Sequence, residues 1–167
     1  MIRRVWLSLG SNQGDRWAHL SDTLSALRED SRVHQVRCSQ VFETAPVGGP
    51  PQGRFLNCVV ELVTDIAAHD VLELAHQLES AADRQRVERW GPRTLDVDII
   101  AIEGEQHQCA DLIVPHPRAQ ERAFVVVPLA ELEDPEQVLH RPLAVPQEQL
   151  ATVEPVAHDD YPRGWPS

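Results

Sequence analysis

Two apolar stripes at helical spacing constrain this chain more than any other feature. Trp17, Leu20, Leu24 and Leu27 recur at intervals of three and four, as do Val71, Leu74, Ala75, Leu78 and Ala82. Such spacing lines one side of a helix with apolar side chains, which predicts helices over about 15–29 and 68–83. Strand-like runs precede, separate and follow them: residues 3–9, residues 33–43 with imperfect alternation, FLNCVVELVT at 55–64 and TLDVDIIAI at 94–102. Each stripe needs an apolar surface to cover. The order β-α-β-β-α-β supplies one in the α+β class, as a ferredoxin-like core with a largely antiparallel sheet and helices packed against it. A further strand is expected at about 123–127, within AFVVVPLA.

A chain of 167 residues suits one such core. Residues 1–133 are read as the core domain. From about 134 to 167 the chain carries six prolines and little periodicity; extended structure packed on the same domain, with a loose end, is expected. TAPVGGPPQGR at 44–54 is a long Pro/Gly loop of the kind that often serves function. The apolar runs are too short to span a bilayer. MIRRVWLSLGSN reads as a first strand rather than a signal peptide, so a cytoplasmic protein is expected. Cys38, Cys58 and Cys109 form no CxxC, which argues against a zinc site or a disulfide framework. The net charge of −11 argues against general nucleic-acid or anionic-membrane binding. All 15 basic residues are arginine; a P-loop needs a lysine that the chain does not have.

Four constellations carry possible chemistry. Asp96 and Asp98 share one strand face, about 6.6–6.8 Å apart along the backbone, where two carboxylates can converge on metal. Hard oxygen donors favour Mg²⁺ or Mn²⁺. The plain alternative is a solvated face, but Ile100 and Ile102 are expected to continue that stripe as apolar residues. Arg84, Arg86, Arg89 and Arg93 cluster within ten residues, and guanidinium forks suit phosphate. Cations at a helix end explain Arg84 and Arg86 equally well; Arg93, beyond the Gly91-Pro92 break, fits that reading poorly. Phe55 and Asn57 share a strand face, an aromatic platform with an amide that can stack and read a flat heterocycle; a core Phe beside a bulge Asn is as good a reading. His116, between two prolines, and Arg122 can bind phosphate, and His116 can act as an acid; a structural histidine is the alternative. His76 and Glu79 share a helix face, which solvation alone explains.

LGSNQGDR, ETAPVGGPPQGRFLN, RWGPRTLDVDI and VPHPRAQERAFVVVPL, in this order over roughly 4–133, resemble the 6-hydroxymethyl-7,8-dihydropterin pyrophosphokinases of folate biosynthesis. RWGPRT followed by DxD is the most specific of them. The resemblance implies that pyrophosphate passes from ATP to the hydroxymethyl group and that AMP is released. It implies two Mg²⁺ ions on Asp96 and Asp98, with Arg84 and Arg93 gripping the phosphates during transfer. Asp98 is also the candidate base. ATP would meet His76, Glu79, Arg86, Trp90, Arg93, His116 and Arg122, with Trp90 on a closing loop. The pterin would lie between Phe55 and Phe124, with Asn57 on its edge and Thr44, Ala45 and Val47 against its ring. A monomer acting only on small molecules is implied. Asp83 and Ala45 depart from the family's frequent Gly and Pro at those positions.

Two other readings remain: a silent paralogue that binds nucleotide or pterin, and a metal-dependent phosphohydrolase. The retained aspartates and arginines weigh against the first. The Phe55/Asn57 platform and long closing loops weigh against the second.

Overall fold

The computed structural model describes residues 1–82 and 94–166. Its main sheet follows the expected order. Strand β1 (Arg3–Ser11) leads to helix α1 (Arg16–Glu29), then to β2 (Val33–Cys38), β3 (Phe42–Thr44) and β4 (Phe55–Thr64). Helix α2 (Ala68–Ala81) and β5 (Asp96–Ile102) follow. In space β5 lies beside β1, β1 beside β4, and both β2 and β3 pair with β4, all antiparallel. This is the split βαβ arrangement of an α+β, ferredoxin-like core.

Period-two alternation gives the sheet two different faces. Val5, Leu7 and Leu9 of β1 and Leu56, Cys58, Val60 and Leu62 of β4 pack with Leu20, Leu24 and Leu27 of α1 and with Val71, Leu74, Ala75 and Leu78 of α2. Both stripes read from the sequence are therefore spent in one core. Asp15 starts α1 by accepting from the Ala18 amide at 3.0 Å, an N-cap that satisfies one of the helix's orphan donors. Trp6 and Val59 turn to the opposite face and form a second core with Ala119, Val125, Leu129, Val138 and Leu139.

That second core explains a correction. Residues 123–127 are helical, not extended: α3 spans Ala123–Leu129, with Ala123, Val125, Val126 and Leu129 buried. Its three valines favour strand locally, but the segment is held by tertiary packing, which overrides propensity. The strand expected at 33–43 is interrupted. From Cys38 to Phe42 the chain takes four steps, while its partner takes three, from Val60 to Asn57. Ser39 fills the break, its amide donating to Val59 O at 2.9 Å and its hydroxyl accepting from Val59 N at 3.0 Å.

The expected shared face of Ile100 and Ile102 is also corrected. The β1–β5 register shifts, so that Leu7 faces Ile99 and Trp6 faces Ala101. Ile100 is the extra, bulged residue. Asp96, Asp98 and Ile100 share the second face, whereas Ile102 is turned into the α1/α2 core.

Beyond β5, β6 (His107–Gln108) and β7 (Ile113–Val114) form a small hairpin. A 3-10 turn (Ala119–Glu121) precedes α3, and α4 (Pro135–Leu139) and α5 (Gln147–Leu150) follow it. Strand β8 (Glu154–Pro155) then pairs with β3 at the sheet's edge. Val41 N donates to the Tyr161 hydroxyl at 2.7 Å. Tyr161 and Trp165 pack their rings on Trp17, with centroids 5.0 and 5.2 Å away. No described helix is long and apolar enough to cross a membrane.

Candidate active site

The second face of the sheet, toward the ends of β1, β4 and β5, opens into a cavity of about 450 Å³. Its floor is set by strand register. Asp96 faces Gly10 and Asp98 faces Ser8 across the β5–β1 pair; Gly10 in turn faces Asn57 across β1–β4. One row across three strands therefore reads Asp96, Gly10, Asn57. Two strand spacings, about 9–10 Å, separate the carboxylate strand from the amide strand.

Gly10 is required here by its neighbour. A Cβ at this position would lie 2.6 Å from Asn57 Oδ1. Asn57 cannot swing away freely, because its Nδ2 donates to Thr44 Oγ1 at 2.6 Å in a buried bond. Phe55, two residues before Asn57, and Phe124, from α3, line the same cavity with Thr44, Ala45 and Val47. The aromatic pair, the amide and the loop read from the sequence as one group are thus brought together. Asn12 bridges the two loops above them, its Nδ2 donating to Gln52 Oε1 at 2.9 Å and to Gly53 O at 3.0 Å.

The cationic wall comes from the segment after β7. His116 N donates to Ile100 O at 2.8 Å, which ties the segment to β5, the strand of Asp96 and Asp98. His116 Nδ1 accepts from the Arg118 amide at 3.1 Å. The neutral ring then carries its proton on Nε2. Burial, and next the charge of Arg122, push the His116 pKa down to about 4. Near neutral pH the ring is then uncharged, with an Nε2–H able to donate. Arg122 lies over the Phe124 ring at 5.6 Å, so one residue links the aromatic wall to the cationic one.

Asp96, Asp98, His116 and Arg122 all border this cavity. His76 and Glu79 do not line it: on α2, His76 is exposed and Glu79 buried. Arg84, Arg86, Arg89, Trp90 and Arg93 lie outside the described residues. Ser8, Gly10, Gln52 and Arg118 line the cavity and were missed by the sequence reading. Period two from Asn57 identifies no partner strand, so Ser8 and Gly10 were beyond reach without the register. Arg118, two residues after His116, was legible in VPHPR.

Comparison with known proteins follows the same residues. The family model described as 7,8-dihydro-6-hydroxymethylpterin-pyrophosphokinase matches residues 6–134. The chain is 43% identical over 128 residues to a 2-amino-4-hydroxy-6-hydroxymethyldihydropteridine pyrophosphokinase of Bacillus subtilis, covering 77% of each. A protein of that description from Methylorubrum extorquens is 40% identical over 131 residues, covering 78% of this chain and 83% of its own. In fold, the chain is similar to a crystal structure described as HPPK-DHPS in complex with substrates, with TM-score 0.58 and 12% identity. That match covers 79% of this chain and spans 40% of the solved one.

Proposed function

The chain belongs to the 7,8-dihydro-6-hydroxymethylpterin-pyrophosphokinase family, and from that premise we propose how its residues divide the reaction. It is an ATP-dependent diphosphotransferase that passes pyrophosphate from ATP to 6-hydroxymethyl-7,8-dihydropterin, a step of folate biosynthesis. The hydroxymethyl oxygen forms a bond to the β-phosphorus; the bond from that phosphorus to the α,β-bridging oxygen breaks; AMP leaves, and the hydroxyl proton is lost.

The observation that carries this reading is the Asp96–Gly10–Asn57 row. It sets Asp96, with Asp98 two residues on along the same strand face, beside a platform for a flat heterocycle within one cavity. Phe55 and Phe124 would sandwich the pterin, and Asn57, held by Thr44, would pair with its edge. Thr44, Ala45 and Val47 would close on the ring. His116 would donate from Nε2 to a phosphate oxygen, and Arg118 and Arg122 would offset charge spreading over the transferred group.

The donor set fits Mg²⁺: two carboxylates on one strand face, with no sulfur among the described lining residues. Asp96 and Asp98 would hold two such ions. When bound, they neutralise polyphosphate charge and acidify the attacking alcohol. Asp98 also stands as the residue to receive the hydroxyl proton. Arg84 and Arg93 would grip the phosphates in transfer, with Arg86, Trp90, His76 and Glu79 completing the nucleotide site. A monomer in the cytoplasm, with no nucleic-acid or membrane partner, belongs to the same proposal; the net charge of −11 supports the absence of nucleic-acid and anionic-membrane partners.

The test is purified protein with MgATP, with and without the hydroxymethyl-dihydropterin. AMP formed only with the pterin is expected. No AMP in either case overturns the proposal, and ATP hydrolysis indifferent to the pterin points to a phosphohydrolase instead.

A further inference from the structure

Away from the substrate cavity, one cluster combines donors of a different kind. His69 lies in the first turn of α2, and Cys109 and Asp111 lie on the turn of the β6–β7 hairpin. Their ligand atoms all fall within 4.8 Å of one another, and His69 Nε2 is 3.5 Å from Asp111 Oδ1. We propose that His69, Cys109 and Asp111 form a binding site for a thiophilic divalent cation of the Zn²⁺ type, separate from the Asp96/Asp98 pair.

The donor set selects the ion. A sulfur, an imidazole nitrogen and a carboxylate oxygen match Zn²⁺ and Co²⁺, whereas Mg²⁺ takes oxygen. Bond lengths of roughly 2.0–2.3 Å around a tetrahedral ion put ligand atoms roughly 3.3–3.6 Å apart. The observed spread therefore needs only small side-chain rotations. The side chains are free to make them: His69 is 55% and Asp111 62% exposed.

The backbone beneath them is fixed. Cys109 N donates to Leu112 O at 2.9 Å, closing the turn, and Leu112 and Val114 are buried. The His107 ring stands edge-on to His69 with centroids 6.2 Å apart, and its Nε2 is engaged by Glu105 Oε2 at 2.8 Å. The site thus offers three protein ligands, with water for the fourth position. Only one cysteine takes part and His69 is far in sequence from the Cys109-Ala110-Asp111 turn, which is why no CxxC-like spacing announces it. An ion here ties the start of α2 to the hairpin that runs on through Val114 to His116.

The test is a Co²⁺ titration of the metal-free full-length protein in excess Mg²⁺, followed by Zn²⁺ competition. A thiolate-to-cobalt charge-transfer band that saturates at one equivalent and is displaced by Zn²⁺ is expected. C109S should lose the band, and C109S, H69A and D111N should each bind Zn²⁺ more than about tenfold more weakly. All three should keep the parent's near-ultraviolet dichroism and its Mg²⁺-supported rate of AMP formation. A band that survives in C109S, or Zn²⁺ affinity left at the parent value in H69A and D111N, overturns the proposal.

Discussion

Gly10 and His116 show how much chemistry rests on single positions. Gly10 gives up its side chain so that Asn57 can lean across the row toward the carboxylate strand. Gly10→Ala should displace the Asn57 amide and raise KM for the pterin about tenfold or more, the cost of one mismatched hydrogen bond. KM for ATP should change far less. Steady-state kinetics in both substrates check this, and equal rises would mean a general distortion.

His116 is held neutral by burial and by Arg122, with its pKa lowered to about 4. The unfolded chain takes up a proton near pH 6.5 that the folded chain refuses until about pH 4. Stability therefore falls as pH drops through that window. His116→Asn, which can still accept from the Arg118 amide, should lose less stability between neutral pH and about pH 4.5 than the parent does. Urea unfolding at the two pH values measures it; parallel losses would contradict the assignment.

Among the elements, the short strand β3 depends on the segment that carries β8 and Tyr161. It carries Thr44, the partner of Asn57, and β8 pairs along its outer side. Tyr161→Phe strips the partner from the buried Val41 N–H and should cost about 1–3 kcal/mol. Removing residues 151–167 should lower stability further and raise the pterin KM, because β3 loses its outer support. Urea midpoints and pterin kinetics check both outcomes; an unchanged midpoint in Tyr161→Phe would contradict the bracing.

The same scale shows what was legible in the sequence. α1 and α2 were readable because each buries one face against the sheet, so periodicity and burial agree, and β4 because it is a short, mostly apolar run buried on both faces. AFVVVPLA misled because its valines fit a strand as well as a helix, and only the Trp6–Val59 face decides between them. The bulge at Ile100 was invisible because register belongs to two strands at once. Asp96, Asp98, Phe55 and Asn57 were legible as pairs, whereas Gly10 became meaningful only as their neighbour. The solvated face offered as the plain alternative for His76 and Glu79 fits exposed His76 only, since Glu79 is buried.

Taken whole, the molecule divides its labour by sheet face. One face spends both helical stripes on the main core. The other holds a smaller core and, at one end, the carboxylates, the aromatic platform and the cations. The chemistry should therefore be separable from the frame that supports it. The most direct measurement is AMP formation by Asp96→Asn and Asp98→Asn at saturating MgATP and pterin, with urea stability recorded on the same preparations. The account predicts a rate lower by about a thousandfold or more in each variant, with stability and pterin binding retained. Either variant turning over near the parent rate would contradict it.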